Sequence, residues 1–135
     1  MVYLDTNIFI YASVEQDIEK KSISLELIQK LAKNSELKLS TLTIQEMAFT
    51  LAKLGADLNM IKTDVEYYMN YLRWQINIDT LKDAVKLGLK ANKLKSINDI
   101  IHLKVAEQHC NKLITFDSDF RSLRSFSNIE IEIIS

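Results

Sequence analysis

Five short apolar runs of β type are separated along this chain by longer stretches whose apolar residues recur at helical spacing, and that alternation constrains the fold most. The runs are "VYL" (2 to 4), "LKLSTL" (37 to 42), "INI" (76 to 78), "KLITF" (112 to 116) and "IEIEII" (129 to 134). The helical patterns cover about 16–33, 43–54, 57–73, 79–93 and 97–109. Strands alternating with helices predict an α/β architecture, a parallel sheet covered on both faces. In the last run Ile129, Ile131 and Ile133 alternate with Glu130 and Glu132. That pattern suits an edge strand with one wetter face, whose charge discourages strand addition.

With no proline and only Gly55 and Gly88, the punctuation must come from Asn, Asp and Ser. No linker, repeat or low-complexity stretch divides the chain, and 47% hydrophobic content over 135 residues is ample for one core, so one domain over 1–135 is expected. Gly55 reads as a helix C-cap, and Gly88, inside a helical pattern, as a site of close packing against the sheet. The balance of 17 basic against 18 acidic residues means that any nucleic-acid contact must rest on a local patch. The chain opens directly on a strand, with no signal-type leader and no apolar run of spanning length, so a cytoplasmic protein away from membranes is expected. Cys110 is the only cysteine. It rules out an internal disulfide and Cys-rich metal sites, and reads as a buried thiol.

In parallel sheets of this kind ligands bind outside the carboxyl ends of the strands, which draws attention to four acids. Asp5 follows "VYL", Glu46 stands in the first turn of the helix after "LKLSTL", Asp99 opens "SINDIIHLKVAE", and Asp117 ends "LITFDSDF". Each has a local reading. Asp5 and Asp117 fit N-caps, Thr43–Glu46 fits a T-x-x-E capping box, and Ser96–Asp99 the related S-x-x-D pattern. Together the four present acids to one sheet edge with no evident neutralising residue beside them. Two unit charges about 4 Å apart repel by roughly 4 kcal/mol at an effective dielectric near 20, so such a cluster calls for a cation. Oxygen-only ligands select a hard ion, Mg²⁺ or Mn²⁺, over zinc. His102 lies three residues after Asp99 on the same helix face and reads as a packed or surface residue rather than a ligand.

The motifs "YLDTNIFIY", Glu46 in "STLTIQEMAF", Asp99 in "INDIIHLKVAEQ" and "LITFDSDF" follow one another over nearly the whole chain. In their order and spacing the sequence resembles the PIN-domain ribonucleases, especially the VapC-type toxins of prokaryotic toxin–antitoxin pairs. The resemblance implies a single PIN-like domain with a five-stranded parallel sheet, order 3-2-1-4-5, between helices. It also implies a Mg²⁺- or Mn²⁺-dependent endoribonuclease that leaves a 5′-phosphate and a 3′-hydroxyl. Asp5, Glu46, Asp99 and Asp117 match the family's catalytic, metal-holding acids. Asn7 and Thr115 match positions that support the site by hydrogen bonding. Asp119 stands where some relatives carry a further acid, as a supporting group or only a helix-start cap. The implied partners are an RNA substrate, a second copy of the chain, and a VapB-type antitoxin whose helical tail lies in an apolar groove near the site.

Lys82, Lys86, Lys90, Lys93 and Lys95 precede Asp99, and Arg121 and Arg124 follow Asp117. They read either as an RNA-backbone track or as a solvated face, with the arginines and the lysines nearest Asp99 favoured for RNA. In "MIKTDVEYYMNYLRW" the stripe Ile61, Val65, Tyr68, Leu72 suits a core, whereas Tyr67, Tyr71 and Trp74 beside it have the composition of an interface. Two rivals to the nuclease exist. An aspartyl phosphatase of the haloacid-dehalogenase type wants a second Asp two residues after the first, where Asn7 stands. A non-catalytic PIN-like module would bind RNA or protein without cutting.

Overall fold

A computed structural model describes the chain from Met1 to Ser135. The chain runs β1 (Val2–Leu4), α1 (Thr6–Ser13), α2 (Ile18–Lys33), β2 (Leu39–Ser40), α3 (Thr41–Lys53), α4 (Leu58–Met69), β3 (Leu72–Trp74) and α5 (Ile78–Ala91). After a 3-10 turn (Leu94–Ser96) come α6 (Ile97–His109), β4 (Lys112–Thr115), a 3-10 helix (Ser118–Phe126) and β5 (Glu130–Ile133). No helix is long and apolar enough to cross a membrane.

All the strand pairs are parallel, as the alternation predicts. Cross-strand rows set the layers: Tyr3 stands opposite Leu113, and Leu113 opposite Ile131, while Leu4 stands opposite Ile114. Successive side chains point to opposite faces of a strand, so the first row packs into one apolar cluster and the second into another. The cluster around Tyr3 takes Ala84 from α5 and Ile100, Leu103 and Ala106 from α6; that around Leu4 takes Ile8 and Phe9 from α1, Ile28 from α2 and Met47 from α3. β5 is the edge strand, with Ile131 buried and Lys112 paired to Glu132 and Glu130.

The order 3-2-1-4-5 is not formed. Backbone ladders join β1, β4 and β5 in one sheet and β2 with β3 in another, and no ladder links β1 to β2. The reason is length: β2 has only two residues, and its second, Ser40, is already the N-cap of α3, accepting the Thr43 N–H at 3.2 Å. Side chains take over the junction, with the Tyr3 hydroxyl 2.9 Å from the Ser40 hydroxyl and the Tyr3 ring stacked on Trp74.

Three other expectations need correction. The helix α1 does not stand out in the sequence, because Ile8, Phe9, Ile10 and Ala12 are all buried and leave no polar stripe. "INI" is not a strand. The Asn77 side chain accepts the Thr80 N–H and so caps α5, which makes Ile78 its first helical residue, while the extended residues lie earlier at Leu72–Trp74. The aromatic stripe breaks up for the same reason: α4 stops at Met69, so Tyr71 and Trp74 do not share a helix with Tyr67. Trp74 is buried between Tyr3 and His109 and is a core residue, Tyr71 is half-buried, and Tyr67 alone stays exposed.

Gly55 has φ +75°, the left-handed C-cap expected of it, and Ala56 N–H closes the motif on Leu51 O at 3.1 Å. Gly88 is a close-packing site, though against Leu94 and Ile100 rather than the sheet. Cys110 is partly buried, and burial pushes its thiol up to about 11. Trp74→Ala should cost about 3–5 kcal/mol in urea unfolding, against less than about 1 kcal/mol for Tyr67→Ala. Equal and small losses would return Trp74 to the surface.

Candidate active site

The four acids come together. Asp5, Glu46, Asp99 and Asp117 line one cavity of about 330 Å³, with Asn7 among them. Asp119 does not join them; it lines a neighbouring cavity with Lys93 and Arg121. Arg124 is turned away as well, donating to the Ile131 carbonyl at 3.0 Å, and Lys95 is exposed outside the cavity that holds Lys93 and Arg121.

Two of the acids have local work. Asp5 caps α1, with Oδ1 accepting the Thr6 N–H at 2.8 Å, and Asp117 caps the 3-10 helix by accepting the Asp119 N–H at 2.9 Å. The capping reading fails for the other two. Ser40 rather than Thr43 caps α3, so Glu46 lies past the first turn, and Ser96 makes no capping bond to α6, whose first turn carries Asp99. Neither Glu46 nor Asp99 caps its own helix.

Thr115 connects the first acid to the fourth. Its hydroxyl donates to Asp5 Oδ2 at 2.7 Å and accepts from the Asp117 N–H at 2.9 Å and from Asn7 Nδ2 at 3.1 Å. Asn7 Oδ1 in turn accepts the Phe116 N–H at 3.3 Å. These bonds fix the end of β4 against the start of α1.

Glu46 has a partner that its place in the sequence does not announce. His102 is fully buried, its Nε2 lies 2.5 Å from Glu46 Oε1 and 3.9 Å from Asp5 Oδ1, and its Nδ1 lies 2.5 Å from the Tyr3 hydroxyl. Glu46 also accepts from the Thr6 hydroxyl at 2.7 Å and, through Oε2, from Asn98 Nδ2 at 3.1 Å. Burial favours neutral imidazole, but the Tyr3 oxygen, the Glu46 hydrogen bond and the charge of Asp5 outweigh it and raise His102 well above the ordinary histidine range. Burial works against the Glu46 anion too; His102, Thr6 and Asn98 outweigh it and hold Glu46 below the usual carboxylate range. The acids are therefore not wholly without a neutralising residue. Sequence reasoning does not find the roles of His102, Tyr3, Thr6 and Asn98; the one signal for His102 is its place one turn after Asp99.

Asp99 is left over. Burial, then the neighbouring Asp5 and Asp117, push its carboxyl up to about 7, and His102 only partly offsets them. Asp5 is raised as well, chiefly by burial, despite His102 and its bonds to Thr115 and Thr6. This donor set is all oxygen and carries negative charge beyond what one imidazolium neutralises, which fits a hard divalent cation such as Mg²⁺ or Mn²⁺. The fit is one of chemistry rather than of a ready cage, for no three His, Cys, Asp or Glu side chains stand close enough to form a coordination shell. Glu46 is turned to His102, and both Asp5 oxygens already accept hydrogen bonds.

The two kinds of acid should respond oppositely to substitution. Asp99 takes up a proton on folding between about pH 4, its ordinary range, and about pH 7, so its contribution to stability falls as pH rises through that window. With EDTA present at pH 8, Asp99→Asn should stabilise by on the order of 1–2 kcal/mol, allowing for solvent on its open side, and much less at pH 5. His102→Leu breaks a buried pair and should destabilise by about 3–5 kcal/mol at pH 7. Thermal melts of both variants at the two pH values check the signs. A loss of stability in Asp99→Asn at pH 8 would show that Asp99 is structurally paired.

A family model described as the PIN domain matches residues 2–125. Among solved structures the chain is similar to VapBC2 from Rickettsia felis, described as bound to a DNA fragment from its promoter, with a TM-score of 0.70 and 17% identity over 98% of each chain. It is also similar to VapBC-5 from Mycobacterium tuberculosis, a member of the VapBC family of toxin–antitoxin systems, with a TM-score of 0.61 and 18% identity over 98% of this chain and 97% of that one. No curated protein matches the sequence. With the family model spanning all four acids and the fold shared with both solved structures, the chain belongs to the PIN domain family.

Proposed function

We propose that this protein is a Mg²⁺- or Mn²⁺-dependent endoribonuclease, the toxin of a VapBC-type toxin–antitoxin system. The observation that carries the reading is one cavity lined by Asp5, Glu46, Asp99 and Asp117, in which Asp99 is a half-buried carboxyl with no capping role. A scaffold gains nothing from carboxylates that repel one another. A metal site does.

In this reading Asp5, Glu46, Asp99 and Asp117 hold the ion at the carboxyl ends of the strands. Mg²⁺ or Mn²⁺ held there would supply polarisation of the phosphate and acidification of the attacking water. The chain does the positioning. Thr115 fixes Asp5 through Oδ2, Asn7 fixes Thr115 and the turn after β4, and His102 fixes Glu46 through Oε1. Asp99, free of its helix cap, is the acid best able to meet the ion or the attacking water. No specific base contact follows from these groups, so the reaction class is phosphodiester hydrolysis with the target set elsewhere.

The toxin assignment draws its support from the two VapBC structures that share the fold. An apolar partner segment has a place to lie: Leu54 and Ile10 line the acidic cavity, and Phe49 and Leu58 are 67% and 79% exposed on the adjoining helices. A VapB-type antitoxin, a homodimer and a cytoplasmic site of action complete the proposal.

Purified protein incubated with labelled single-stranded RNA should cut it with Mg²⁺ or Mn²⁺ and not with EDTA. Asp5→Asn and Asp99→Asn should each lower the rate by more than the roughly 10–100-fold typical of losing an outer metal partner. Cleavage that persists in EDTA would end the metal reading. Tight RNA binding without cleavage would favour the non-catalytic module.

A further inference from the structure

The acidic cavity repels the very polymer it is proposed to cut, since every nucleotide on either side of the reacting bond carries a phosphate. A metal at the acids answers only the reacting phosphate, and cationic side chains close by would favour the flanking ones. The chain as a whole, at a net charge of −1, does not supply a cationic surface by composition.

A second cavity of about 390 Å³ has no hydrophobic lining residue: it is formed by Lys93, Ser96, Ser118, Asp119, Arg121 and Ser122, and it is tied to the first by the Asp119 N–H, which donates to Asp117 Oδ1 at 2.9 Å. It is continuous with the acids in sequence, because Ser118 follows Asp117 and Ser96 stands three residues before Asp99. Both cations rest on fixed backbone. Lys93 follows the left-handed Asn92, its N–H donates to Gly88 O at 2.8 Å, and its carbonyl accepts the Ser96 N–H at 2.9 Å. Arg121 sits on the 3-10 helix between Phe120 and Leu123, both buried in the core.

Neither cation is neutralised by an ion pair. The ion pairs of the chain use Lys21, His102, Lys104 and Lys112. The Ser96 hydroxyl, which does not cap α6, is free to donate. Asp119 is the one opposing group among the lining residues, its N–H bonded to Asp117 and its carbonyl accepting from Ser122. Two cations and free hydroxyls against one carboxylate leave the cavity net positive and suited to an oxyanion.

We propose that this cavity binds a backbone phosphate of single-stranded RNA, next along the strand from the phosphate at the four acids. The choice of RNA rests on the nuclease reading. Lys93 and Arg121 then set the register of the strand over the acids without reading a base, so their effect is the same for every sequence.

The test is a titration of the intact protein with short labelled single-stranded RNAs of different sequence, in EDTA and over a range of salt. Lys93→Ala and Arg121→Ala should each weaken binding by about 3–10-fold, equally for all sequences. The double variant should flatten the slope of log affinity against log salt by roughly 0.7 for each phosphate that is no longer neutralised. Asp119→Asn should tighten binding. Lys82→Ala, an exposed lysine outside the cavity, should change little. Wild-type affinity and slope in the double variant would overturn the proposal, as would an equal loss in Lys82→Ala, which marks diffuse charge. If the wild type cuts RNA while the variants bind normally, the subsite falls and the nuclease stands. If the wild type fails to cut with metal but its RNA binding depends on Lys93 and Arg121, the nuclease falls and the subsite stands. No RNA binding by the wild type removes the subsite.

Discussion

A chain of buried hydrogen bonds from Ser40 through Tyr3 and His102 to Glu46 joins the two parts of the structure where no backbone ladder does. Ser40 ends β2 and caps α3, Tyr3 lies in β1, and His102 lies in α6. One polar thread therefore ties β1, β2, α3 and α6 together, with Asn98 of α6 adding a second bond to Glu46. Low dielectric around it makes each bond stronger and each missing partner costlier, so the network specifies one arrangement of α3 and α6. Glu46 inherits its position from that arrangement.

The same thread divides the acids into two kinds. Glu46 is balanced by the His102 imidazolium and by hydrogen bonds from Thr6 and Asn98, while Asp99 is pushed toward neutrality by burial and then by Asp5 and Asp117. Perturbed carboxyls of this sort cluster at functional sites because function, not folding, needs them ionised together. Lys93 and Arg121 line a separate cavity with Ser118, which follows Asp117 directly in the chain.

Much of this is legible in the residues alone. Strand–helix alternation announces the parallel architecture, and the places of Asp5 and Asp117 just after strands and of Glu46 and Asp99 near helix starts announce their meeting. Local signals mislead where two readings compete for one residue. Ser40 rather than Thr43 is the cap of α3, and Asn77 is a cap rather than the middle of a strand. Trp74 has the composition of an interface residue, yet Tyr3 and His109 enclose it, and nothing in the order of residues around Trp74 names either ring.

The sequence by itself determined the class of fold and the places of its acids, because hydrophobic period and strand-end position are local properties that a single chain displays. Tertiary structure decided the pairing: that His102 answers Glu46 and Asp5, that Thr115 ties Asp5 to Asp117, and that β1 and β2 meet through Tyr3 instead of a ladder. Charge compensation depends on distances between residues 56 to 110 positions apart, and such distances exist only once the chain is packed.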